Sequence, residues 1–261
     1  MAKSRNPVNK LEVVFHFAVF LHFVYGDLVI LPVYSKLHEA LGREVDDPEI
    51  HRYKVATPWF LTLWNSALHH AYFGCCCLAH LSQIFSLPVP PAILSVADVI
   101  RRNIFASVLI PSSIMTGVNY WVMYVISPEH VFTHFLAVYP WWINHSIHTY
   151  VVPFAVFELY LRASSGEATS MGRLREWAVL YGYITIYTLV TLVHHQLTDT
   201  WIYPFYDEIS NWLRAGIFIS LYASSTLYYW CAVTWAIKLE KKHGRERVRS
   251  FFGKKKAKHR N

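Results

Sequence analysis

The chain has 261 residues, of which 54% are hydrophobic and 16% charged, and a formal net charge of +7. An ordinary soluble domain carries about 25% charged residues, so there is too little charge here to clothe a soluble surface, which argues against a cytosolic enzyme. Aromatic residues make up 16% of the chain, which excludes disorder.

The apolar residues gather in six runs: Leu11–Tyr34, Pro58–Phe85, Ile104–Ile126, Pro140–Leu161, Leu174–His195 and Leu213–Ile237. At 1.5 Å per residue each can cross a hydrocarbon core roughly 30 Å thick. None alternates in the way barrel strands must, so each reads as a helix. The first run follows a basic start but is too long for a signal peptide. It contains His16, His22 and Asp27, and no small-residue cleavage site follows, so an uncleaved first helix is expected. The second run carries Cys75, Cys76 and Cys77. Three consecutive thiols inside a span, with Cys231 far away, pack as apolar groups and form no disulfide framework. The third run contains Pro111 and Gly117, which predicts a kink.

Orientation follows from the short loops. Lys3, Arg5 and Lys10 precede the first run. Arg101 and Arg102 lie between the second and third, and Arg162, Arg173 and Arg175 between the fourth and fifth. The loops Ser127–Tyr139 and Gln196–Trp212 hold no Lys or Arg. The first loop, Ser35–Thr57, mixes both signs, and alternation assigns it to the lumenal side. The expected fold is therefore an all-α integral membrane bundle of six transmembrane helices, with both termini cytosolic. Residues 1–240 form the membrane domain and 241–261 a basic cytosolic tail, which reads as a positive-inside anchor. No groove-reading motif stands beside the tail's charges, so nucleic acid is not an expected partner.

Polar residues inside spans are costly and mark functional positions. Thr62, Asn65, Ser66 and His69 recur at i, i+3, i+4 and i+7, one stripe on an apolar helix. Asn144, His145 and His148 share a face of the fourth run. His194 and His195 end the fifth, and Asp27 lies in the first. Counted from the lumenal ends, Thr62 is roughly 6 Å deep, His148 roughly 12 Å and Asp27 roughly 10 Å. Two readings follow. These groups could hydrogen-bond between helices. Alternatively, Thr62 and His148 form a nucleophile and base, with Asn144, His145 or Asp27 orienting the imidazole.

Metal-dependent lipid oxidation needs HxxxH and HxxHH boxes. His145 and His148 give only HxxH, Thr191 stands where His194-His195 would need a partner, and Ser66 stands where His69-His70 would. No HExxH, GxSxG or phosphate loop occurs. No metal ligands and no cofactor are expected for the chemistry.

The segments Asn144-His145-Ser146-Ile147-His148-Thr149, Pro153-Phe154, Thr198-Asp199-Thr200-Trp201-Ile202-Tyr203-Pro204 and Trp59-Phe60-Leu61-Thr62 resemble the androgen-induced protein family, which includes the androgen-dependent tissue-factor-pathway-inhibitor-regulating protein. The resemblance implies a six-helix membrane hydrolase that cleaves fatty acid esters of hydroxy fatty acids, with a threonine and a histidine that align with Thr62 and His148. The implied substrate carries a carboxylate and long acyl chains, and the implied site lies within the bilayer of the endoplasmic reticulum or plasma membrane. On this reading Asn65, Asn144 or His145 stabilises the oxyanion. Ser66, His69, His195, Trp201, Tyr203 and Arg214 contact substrate. Arg214 would hold the carboxylate, unless it is an interfacial snorkelling residue. Trp201 and Tyr203 would form the pocket rim, unless they belong to an aromatic belt. A non-enzymatic transporter or regulatory scaffold is the alternative of a different class.

Overall fold

The computed structural model describes the backbone of residues 9–41, 55–128, 140–166 and 174–258, with side chains at 9–32, 55–128, 140–166 and 174–245. Several positions used for orientation lie outside these residues: Lys3, Arg5, the charges of the first loop from Arg43 to Lys54, most of Ser127–Tyr139, Arg173 and the last three residues. Among the described residues there is no strand. The helices are α1 (Lys10–Leu41), α2 (Leu61–Ile84), α3 (Pro91–Ile104), α4 (Ile110–Ile126), α5 (Trp141–His148), α6 (Val151–Ser165), α7 (Leu174–Thr198), the short α8 (Phe205–Glu208) and α9 (Asn211–Lys258). A 3₁₀ turn, Thr57–Trp59, precedes α2, and a π-helical turn, Phe105–Leu109, joins α3 to α4.

α1 and α7 are each long and apolar enough to cross a membrane, over Lys10–Pro32 and Leu174–Thr198. Large apolar side chains stand exposed along the outer faces, among them Leu21, Leu28, Ile186, Val193, Ile219 and Trp230. Water would penalise so extensive an apolar exterior, whereas lipid would not.

The helices depart from the predicted runs in four places. α1 continues past Tyr34 to Leu41, so the first part of the expected loop Ser35–Thr57 is helical. Arg101 and Arg102, expected in a loop, occupy the last turn of α3, an amphipathic helix. The expected kink at Pro111 is taken up by the π turn. Proline offers no N–H to the carbonyl four residues before it. The wider turn shifts the pairing instead, with the Ile110 N–H bonded to the Phe105 carbonyl. The fourth run, expected as one helix, is two. Pro153 cannot donate to Thr149, and the chain turns at Thr149-Tyr150. Both of their amides donate to the His145 carbonyl at 2.8 Å, and the Val152 N–H closes on Thr149 O at 3.3 Å.

The core lies where α2, the π turn, α4, α6 and the apolar half of α9 meet. Tyr72, Phe73, Phe105, Leu109, Met115 and Leu159 are buried there. Phe105 meets Tyr72, and eight residues on, Ser113 meets Asn65 and His69. Contacts that advance on one helix while retreating on the other make α2 and α4 antiparallel. α9 runs on without interruption through the basic segment to Lys258.

Candidate functional site

Thr62 sits in the first turn of α2. The N-cap is Phe60, which has no side-chain acceptor for the first amides. Helix starts leave such N–H groups unpaired and carry a partial positive charge. The Leu61 N–H is taken by the Tyr203 hydroxyl at 3.2 Å, and Tyr187 also donates to Tyr203 at 3.3 Å. Tyr203 stacks on Phe60, so the segment after α7 is pinned against the start of α2. Burial raises the Tyr203 phenol above its usual range, as it does for Tyr206. Because α2 begins at Leu61 and not at Pro58, Thr62 lies nearer the helix end than the expected depth, and it is half-buried.

Asn65, Ser66 and His69 are buried on the same face. His69 Nε2 lies 2.9 Å from Ser113 Oγ, which donates to the Leu109 carbonyl at 2.6 Å. With the serine proton so placed, His69 donates through Nε2 and its Nδ1 carries a lone pair. That nitrogen has no partner, and neither does Asn65 Nδ2.

His148 is the last residue of α5 and is buried. Its ring lies flat on Tyr120, with centroids 3.5 Å apart. Its carbonyl meets α4 at Gly117, where a Cβ would come within 2.8 Å of it. The backbone approach, and not a kink, explains this glycine. Moving about 10 Å from the His69–Ser113 contact, at 1.5 Å per residue, reaches Thr62 on α2 and Tyr120 on α4. Thr62 and the Tyr120–His148 stack therefore share one level of the bundle. No hydrogen bond joins Thr62 to His148, and His148 Nδ1, Tyr120 Oη and Thr116 Oγ1 are buried without partners.

The remaining predicted residues divide between this site and its surroundings. Asn144 lies beside the Tyr120 hydroxyl without an aligned hydrogen bond. His145 turns toward Thr149, 3.0 Å from its hydroxyl, which also accepts from Trp121. Asp27 does not reach His148. It is exposed and lies 2.8 Å from His70 Nε2, a charge contact rather than an aligned hydrogen bond. The expectation that Asp27 orients the base therefore fails on geometry. His195 stacks on Trp201 with centroids 4.0 Å apart, and the Arg214 guanidinium covers the same indole at 5.1 Å. Trp201 is buried in this sandwich and is not part of an exposed belt. Arg214 donates to the Tyr206 carbonyl at 2.7 Å and to Asn211 Oδ1 at 2.6 Å.

A second polar cluster, absent from the sequence reading, occupies the opposite end. His16 touches both His80 and Glu158, and Tyr72 donates to Glu158. Arg162, expected in a loop, is buried and donates to the Tyr72 hydroxyl and the Arg101 carbonyl. Glu158 is a carboxylate within an apolar run, and that alone could have drawn attention to it.

The family model for FAR-17a/AIG1-like protein matches residues 11–236. The chain belongs to this family. FAR-17a/AIG1 relatives include the androgen-dependent TFPI-regulating protein of Mus musculus, 26% identical over 76% of this chain and 79% of the relative. Another is the androgen-induced gene 1 protein of Homo sapiens, 27% identical over 61% of this chain and 67% of the relative. The androgen-dependent TFPI-regulating protein of Mesocricetus auratus is 27% identical over 76% of this chain. No solved structure gives a significant match. Family membership and the long apolar helices together mark a membrane protein of the FAR-17a/AIG1 type.

Proposed function

We propose that this chain is an intramembrane lipid hydrolase that cleaves fatty acid esters of hydroxy fatty acids, with Thr62 as nucleophile and His148 as base. One observation carries the reading. Asn65 Nδ2, His69 Nδ1, Thr116 Oγ1, Tyr120 Oη and His148 Nδ1 are all buried without partners along the α2, α4 and α5 faces. Buried polar groups are paired in more than about 90% of cases, so this row of five, which extends about 10 Å along the helices, supports a polar ligand between them. An ester flanked by two acyl chains fits such a place, its carbonyl among the donors and its tails among the apolar helices.

In the first half-reaction His148 takes the Thr62 hydroxyl proton as Oγ attacks the ester carbonyl. The tetrahedral oxyanion is met by Asn65, Asn144 or His145 as side-chain donors. Collapse breaks the ester C–O bond, and His148 returns the proton to the departing alkoxide. Water, deprotonated by His148, then attacks the acyl carbonyl; the acyl–Oγ bond breaks, the acid leaves, and His148 returns the proton to Thr62 Oγ. No metal takes part. Arg214, beside Trp201 at the rim, receives the substrate carboxylate. Six spans with cytosolic termini would place this site in the lumenal half, in the endoplasmic reticulum or plasma membrane. The six spans are α1, α2, α4 with its π turn, α5–α6, α7 and the apolar part of α9.

The test is hydrolysis of a branched ester, against triglyceride and phospholipid, by monodisperse protein in detergent, alongside labelling by a fluorophosphonate probe. Wild type should turn over the branched ester and label; Thr62→Ala should do neither while keeping its melting temperature. Full turnover in folded Thr62→Ala would end the assignment.

A further inference from the structure

The polar cluster at the other end of the bundle has a geometry of its own. Glu12 and His16 stand one turn apart on α1, His80 comes from the end of α2, and Glu158 from α6. His16 is wholly buried and engaged at both ring nitrogens. Nε2 lies 2.7 Å from Glu158 Oε2, and Nδ1 lies 2.9 Å from His80 Nε2. A carboxylate only accepts, so His16 carries its proton on Nε2, and in the neutral ring Nδ1 presents a lone pair. Glu158 cannot swing away: Tyr72 donates to its other oxygen, and Arg162 donates to Tyr72 at 3.2 Å. A carboxylate behind one histidine nitrogen is the arrangement that fixes the tautomer and aims the other nitrogen at a metal ion.

We propose that His16 Nδ1, His80 Nε2 and a Glu12 carboxylate oxygen bind a divalent transition cation of the zinc type, with Glu158 positioning His16. One ligand atom from each of Glu12, His16 and His80 lies within 4.8 Å of the other two, and His16 Nδ1 and His80 Nε2 are the facing nitrogens. Two imidazoles and one carboxylate are a zinc-type donor set, with one coordination position left open. Tetrahedral Zn–N bonds place nitrogens about 3.3 Å apart, so the His16–His80 pair would open by about 0.4 Å, within reach of small rotations about the side-chain bonds. Arg101 pairs with Glu12 at 3.8 Å and keeps that carboxylate beside the histidines. A second grouping, His16, Cys76 and Glu158, meets the same 4.8 Å limit, but there Glu158 would be a ligand and would have to give up its contact with His16 Nε2. The cation would tie α1 to α2 at the far end from Thr62, away from the ester.

The test uses full-length protein in detergent, stripped with chelator and returned to zinc chloride. The expected result is about one zinc per chain, as one three-ligand site requires, and a melting temperature that rises on zinc addition. His80→Gln should lose both. Glu158→Gln should fold and bind zinc about 10- to 100-fold more weakly, the usual effect of losing such a supporting carboxylate. Cys231→Ser, at an exposed thiol on α9, should match wild type. Cobalt-loaded protein should show tetrahedral d–d absorption without a thiolate charge-transfer band; such a band would overturn the ligand set. Wild type without stoichiometric zinc or a zinc-dependent melting shift would overturn the proposal. So would equal zinc content in wild type and folded His80→Gln.

Discussion

Substituting alanine at Gly117 adds one carbon at the point where α4 touches the end of α5. That carbon would lie 2.8 Å from the His148 carbonyl oxygen and 3.0 Å from Val152 Cγ2. The first neighbour is backbone and cannot rotate aside, so the α5–α6 junction must retreat by several tenths of an ångström. Overpacking of this kind costs about 1–3 kcal/mol, offset by about 1 kcal/mol from the better helix propensity of alanine. The net loss is about 0–2 kcal/mol, and each kcal/mol corresponds to roughly 2–4 °C in a chain of this size class. Three other glycines provide the scale. Gly26, Gly182 and Gly216 have nothing within 4 Å of a built Cβ, so alanine there should be neutral or raise the melting temperature. Gly74 meets only the Phe20 ring at 3.2 Å, a side chain that can turn, and should fall between. Because the displaced atom belongs to His148, ester turnover per folded molecule should fall in Gly117→Ala by about tenfold, since misplacement of about 1 Å can cost up to 10²-fold. The assay pairs thermal unfolding in detergent with turnover normalised to monodisperse protein. A Gly117→Ala protein as stable and as active as Gly182→Ala would refute both the close contact and the positional role of His148.

Thr62→Ala and His148→Ala should each abolish turnover, and the double variant should be little worse than either, because both remove the same step; additive losses would argue for independent roles. Thr62→Ser should keep part of the activity, whereas His69→Ala or His70→Ala should be milder than the loss of His148. Glu158→Ala should destabilise by about 3–5 kcal/mol, since it leaves His16, Tyr72 and Arg162 facing a lost carboxylate; an unchanged melting temperature would show that this network does not hold the bundle. Glycosylation tags inserted within 127–139 or 196–210 should be modified, and tags at either terminus should not; the reverse pattern would invert the membrane orientation.

Much of the architecture was legible in the sequence because lipid and helix geometry impose a simple code. Runs of apolar residues about 20 long must satisfy their own backbone, so they are helices. The stripe Thr62, Asn65, Ser66 and His69 follows from the helical repeat alone, and three of its four members are buried as the repeat implies. The exceptions depend on backbone hydrogen bonding between distant residues. The break after His148 arises because Pro153 denies Thr149 its ordinary helical donor, yet Pro111 merely widens a turn. Which outcome a proline produces depends on how the neighbouring backbone re-pairs: at Pro153 the Thr149 carbonyl takes the Val152 N–H instead, and at Pro111 the Ile110 N–H shifts to the Phe105 carbonyl. Whether a polar residue joins a site or only a neighbour was equally beyond the linear pattern. Asp27 and His148 are both ionisable groups in apolar runs, but helix rotation sends one to His70 and the other onto Tyr120. His16, His80, Glu158 and Arg162 come from three helices separated by up to 146 positions. No spacing rule links them, and only the packing of α1, α2 and α6 brings their charges into one buried cluster.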